Sequence, residues 1–123
     1  KFALGGVTTP AINLLKNHTY VFDQSDASNA SHPIAFKEGA GGAAYTTGVT
    51  STGTPGQAGA KTTIVTTADT PDLFYYCTTH GEGMGNTASL VNPTGDILFT
   101  TVNAGANDSY QVVMRLKKNY KVQ

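Results

Sequence analysis

Cys77, His80 and Met84 stand close together on one stretch, and their side chains are those of a soft-metal site. Cys77 is the single cysteine of the chain. It closes the aromatic run Leu73-Phe74-Tyr75-Tyr76 and is followed by a loop holding Gly81, Gly83 and Gly85. Thiolate, imidazole and thioether together suit a thiophilic ion, above all copper cycling between Cu(I) and Cu(II). A second imidazole completes the set, and His32 can supply it. A trigonal Cys–His–His plane with a long axial Met lies between the shapes the two ions prefer, so little rearranges when an electron moves. Zinc competes for thiolate and imidazole, but its ligands are Cys, His and carboxylate rather than Met. Glu82, the carboxylate on this loop, reads as a solvated residue. A lone buried cysteine is ordinarily a small core hydrophobe; the neighbouring histidine, methionine and glycines set this one apart.

The elements that must hold these side chains are short strands. Helical periodicity is nearly absent, and Gly, Thr, Ser, Asn and Pro punctuate short apolar runs, which is the pattern of an all-β sandwich or barrel. Strands are expected at Phe2-Ala3-Leu4, at Ala11 to Leu15, at Thr19-Tyr20-Val21-Phe22 and at His32 to Phe36, where Ile34 and Phe36 share a face. Asp23 to Ser31 reads as an irregular polar loop. Tyr45-Thr46-Thr47 and Val49-Thr50 are expected to pair around Gly48, and Lys61 to Thr67 forms a strong strand. Alternation puts Leu73, Tyr75 and Cys77 on one face, with glycines beyond them that let the chain fold back. Ala88 to Val91 is a further strand. Asp96 to Val102 and Ser109 to Leu116 read as a hairpin through Asn103 to Asp108.

The spacing C-x-x-H-x-x-x-M, with His32 upstream, resembles the type 1 copper site of the cupredoxins (plastocyanin, pseudoazurin, amicyanin). The run Asn17 to Asp23, a polar loop and His32-Pro33 entering a strand resemble the front half of such a domain. The resemblance covers residues 1–91 and implies a Greek-key β-sandwich with His32, Cys77, His80 and Met84 as copper ligands. The segment from His80 to Met84 is one residue shorter than in plastocyanin and longer than in amicyanin. Pro33 stands where the family usually has an Asn that steadies the thiolate region by hydrogen bonding; Asn29 or a backbone N–H is the candidate replacement. Residues 92–123 would then be an added C-terminal β-hairpin, packed on the same domain or on a neighbouring subunit.

At 123 residues the chain is one domain's worth of sequence, with a formal charge of zero and 13% charged residues, about half the usual ~25%. No basic stripe marks a nucleic-acid surface, and Arg115-Leu116-Lys117-Lys118 reads as a solvated strand face. No apolar run approaches the ~20 residues that span a bilayer. One cysteine forms no intrachain disulfide. No nucleophile elbow, phosphate loop or carboxylate pair supports hydrolysis or group transfer, so the expected protein is not an enzyme. His18 reads as an exposed turn histidine and Met114 as core or interface filler. Two functions fit: a copper protein exchanging electrons with a redox partner protein, or a structural module of a surface layer, appendage or virion, with or without copper. The first is the leading reading; low charge, abundant Thr, Gly and Ala and the added hairpin speak for the second, which would assemble as a homo-oligomer or larger array through the C-terminal hairpin. Either points to an extracellular, periplasmic or virion-surface location, and Lys1 in place of Met suggests a processed product or an excerpt.

Overall fold

Alternating apolar and polar residues build two facing β-sheets in the structure, a computed structural model that describes residues 1–93 and 117–123. The strands are β1 (Ala3–Leu4), β2 (Val7–Thr8), β3 (Ile12–Leu15), β4 (Thr19–Asp23), β5 (Ile34–Lys37), β6 (Ala44–Tyr45), β7 (Val49–Thr52), β8 (Lys61–Val65), β9 (Leu73–Cys77), β10 (Gly81–Val91) and β11 (Lys117–Lys121). One sheet has the order β3-β10-β9-β5-β6 and the other β11-β4-β8-β7, with β1 and β2 forming a small hairpin. Neighbours run antiparallel except β3 with β10 and β4 with β11, which are parallel. The chain is an all-β sandwich.

The inner faces follow the period of two that a pleated strand imposes. Tyr20 and Phe22 point inward from β4, Thr62 and Ile64 from β8, Ile34 and Phe36 from β5, and Leu73, Tyr75 and Cys77 from β9. Phe22 is fully buried and joins the layers, meeting Phe36 edge-on at 5.4 Å and stacking on Tyr120 at 5.0 Å. Aromatic pairs in these arrangements stabilise beyond the area they bury. Tyr75, also fully buried, donates its hydroxyl to Pro10 O at 2.6 Å. Burial, with the Tyr120 phenol nearby, pushes its pKa up to about 12.

The register departs from sequence expectation at several places. Val7–Thr8 is a strand that the Gly5-Gly6 turn turns back against Ala3–Leu4. The segments at Tyr45 and Val49 do not pair with each other: β6 joins β5 in one sheet and β7 joins β8 in the other. His32 and Pro33 precede β5 rather than open it. The loop from Asp23 to Ser31 contains one 3-10 turn, Ala27–Asn29, capped by the Asp26 carboxylate. The expected hairpin strands at 96–102 and 109–116, and Met114, lie outside the described residues. The last residues belong to the sandwich itself. β11 runs beside β4 from Lys117↔Thr19 to Lys121↔Asp23, and Val122, fully buried, bridges to Leu4.

Candidate metal centre

Cys77 is fixed by pairing on both sides. It ends β9, lies opposite Ile34 of β5 and pairs with Gly81 at the start of β10. Thr78 to His80 therefore form the tight turn between two adjacent strands, and Gly81 takes a φ of 85° to begin the return. The β10–β9 pairing then shifts between Gly81 and Asn86, a bulge that carries Met84. Gly85 is obligatory in it, because a Cβ there would overlap the carbonyl oxygen of Tyr75. Bulges of this kind re-aim side chains next to functional sites.

The outcome is a cluster at one end of the sandwich. The Cys77 sulfur is fully buried and lies 3.8 Å from Nδ1 of His32 and 3.8 Å from Nδ1 of His80. All three donor atoms lie within 4.8 Å of one another, and the group could hold a metal ion. The two imidazole rings face each other at 4.6 Å with a 42° tilt. A thiol can donate to one of these nitrogens and accept an N–H from the other, so a pair of weak hydrogen bonds and ligation of a common ion both suit this arrangement. With bonds of about 2.3 Å to sulfur and about 2.0–2.1 Å to nitrogen, an ion bound to both would set them about 3.6–3.8 Å apart, so these separations are compatible with one.

Met84 lies in the same neighbourhood. It is half-buried, packs on the core, and lines an open cleft of about 410 Å³ together with His32, His80, Phe2 and Ser28. Its carbonyl accepts the Phe2 N–H at 2.9 Å, which ties the bulge to the N-terminal hairpin. His80 is exposed and His32 half-buried, so the cluster meets solvent through the His80 ring.

Glu82, expected to be solvated, instead accepts from Lys37 Nζ at 2.8 Å and from Gly41 N at 2.9 Å. The Lys37 bond, with the Gly41 N–H behind it, holds its carboxyl below the usual carboxylate range. Lys37 also lies over the Tyr76 ring at 4.5 Å. This contact fastens the His80–Met84 segment to the turn after β5, so Glu82 is engaged with protein groups. His18, read as exposed, is half-buried: Nδ1 meets Lys16 O at 2.7 Å, and Nε2 is buried with no partner among the described residues.

Thr78 N donates to Pro33 O at 3.1 Å, which joins the residue after Cys77 to the residue after His32. Asn29 turns elsewhere, donating to Val122 O at 2.7 Å and to Asp26 O at 3.2 Å. Gln24 also bears on the site, without a signal in the sequence. Only 2% exposed, it bonds the backbone on both sides of Pro33. Nothing distinguishes it in the sequence from the other polar residues between Asp23 and Ser31.

Compared with known proteins, the chain matches no protein-family model, no curated protein and no solved structure.

Proposed function

We propose that the chain is a copper-binding, cupredoxin-like protein of Greek-key type whose site performs one-electron transfer. The observation that carries this reading is the placement of Cys77 Sγ equally, at 3.8 Å, from Nδ1 of His32 and of His80. That spacing leaves the three donors close enough to share one ion, and Met84 lines the same cleft. A Cys–His–His trigonal set with a weak thioether is the donor chemistry of blue-copper electron-transfer sites.

In this reading copper supplies the Cu(I)/Cu(II) couple, and the chain does the rest. The β9 ladder fixes Cys77 and the bulge fixes Met84, so both would keep their places beside a bound copper in either oxidation state. The sandwich keeps water from the Cys77 side, and the exposed His80 ring offers the shortest path to a redox partner. Titrating metal-free protein with Cu(II) tests the proposal. One equivalent should give an intense visible thiolate-to-copper band that is absent from Cys77→Ser. Stoichiometric copper binding without that band refutes the type 1 assignment.

A further inference from the structure

We propose that Gln24 is the residue that positions His32, through a buried amide network that replaces strand pairing at this ligand. Cys77 lies inside a ladder, but His32 stands two residues before β5 begins. Its main chain is held by other means. His32 N–H donates to Asn29 O at 2.8 Å, and His32 O accepts from Gln24 Nε2 at 2.8 Å. Gln24 Oε1 accepts the Ile34 N–H at 3.0 Å, so a single carboxamide bonds the residue before Pro33 and the residue after it. Pro33 has no N–H of its own. The two groups that Gln24 engages are therefore those that fix the backbone leading into the His32 side chain.

The clamp is itself anchored. Gln24 directly follows β4; its N–H donates to Ala60 O at 2.9 Å, and its carbonyl accepts from Gly56 N at 2.8 Å. Gln24 Nε2 also donates to Asn29 Oδ1 at 3.1 Å, and Asn29 Nδ2 donates to Val122 O at 2.7 Å. Gln24 and Asn29 are 2% and 1% exposed. Water cannot readily stand in for a lost partner at such depth, and a buried network of this kind specifies one arrangement when every member is satisfied. Gln24 touches no donor atom of the cluster; it acts on the site only through the His32 backbone.

The copper part of this inference rests on His32 being a ligand, as proposed above; the positional part does not. The test compares Gln24→Met, which keeps the length and removes every side-chain hydrogen bond, with Thr66→Val as a control. Thr66 is also 2% exposed and bonds Leu15 O at 2.6 Å, beyond the opposite end of β8. Imidazole NMR signals of metal-free protein form the first readout. Those of His32 should broaden or split in Gln24→Met, while those of His80 stay as in the unaltered chain. Copper affinity forms the second. Outer partners of a ligand typically contribute about 10–100-fold, so the dissociation constant should rise by about that factor in Gln24→Met and hardly at all in Thr66→Val. An unaltered chain that takes up no copper removes the functional reading, and the imidazole signals then decide the positioning alone. Unchanged His32 signals in folded Gln24→Met, or an equal effect from Thr66→Val, overturn the inference. Should Gln24→Met not fold, Ile34 amide exchange in the unaltered chain decides. Protection equal to that of the inner β5 and β9 amides supports the clamp, and loop-like exchange overturns it.

Discussion

Replacing Tyr75 by Phe removes one oxygen from the middle of the sandwich and should change stability in two separable ways. The ring stays, so packing against the Gly85 bulge is kept and no large cavity opens. What goes is the donor to Pro10 O, at 2.6 Å, in a residue with no exposed surface. The Pro10 carbonyl is only half-buried, so water can replace the lost donor there, and the expected loss at neutral pH is that of a net hydrogen bond, about 0.5–1.5 kcal/mol. The second effect is linked to pH. Burial raises the Tyr75 pKa from 10.0 to about 12, so the folded state favours the neutral phenol. The stability this confers is complete below about pH 10 and is lost as pH rises through 12. Two units at 1.36 kcal/mol each amount to about 2.7 kcal/mol. Burial also raises the Tyr20 pKa, but Tyr20 is common to both proteins and cancels in their difference. Urea midpoints of metal-free protein, measured at intervals from neutral pH to about pH 12, should show Tyr75→Phe less stable at neutral pH and the two proteins converging in alkali. A gap that stays constant across this range, or is absent at neutral pH, refutes the reasoning.

Three further substitutions probe the support of the cluster. Gly85→Ala sets a Cβ against the Tyr75 carbonyl and must push β9 and β10 apart beside Cys77 and Met84. It should cost about 1–3 kcal/mol by thermal melting and distort the visible copper spectrum. Val122→Ala removes two buried methyl groups from the seam between β11 and the N-terminal hairpin; a loss of roughly 2 kcal/mol is expected by urea denaturation. Met84→Gln should keep copper bound and coloured but lower the reduction potential, read by voltammetry, because axial ligands tune potential in such sites. Complete loss of copper in that variant would give Met84 a structural role instead.

Much of the frame was legible because the inner faces obey strict alternation. Leu73, Tyr75 and Cys77, like Ile34 and Phe36, stand where a period of two puts them. The grouping of His32 and His80 about Cys77 was legible from residue chemistry, since few other roles account for these types at this spacing. The failures have a common physical origin in pairing between distant segments. Nothing local reveals that Tyr45 and Val49 join opposite sheets, or that Lys117–Lys121 returns to lie parallel to β4. Glu82 looked solvated because its partners, Lys37 and Gly41, lie far away in sequence. Gln24 stayed hidden for the same reason: its worth comes from Asn29, His32 and Ile34 converging on one buried amide.

The central claim is that Cys77, His32 and His80 bind one copper in a plane, with Met84 as a weak fourth donor. X-ray absorption on the copper-loaded protein measures that shell directly. The account predicts one short sulfur and two nitrogen neighbours in both oxidation states, with distances that barely change on reduction. A first shell of nitrogen and oxygen alone, or one that expands to four or more strong light-atom donors on oxidation, would contradict it.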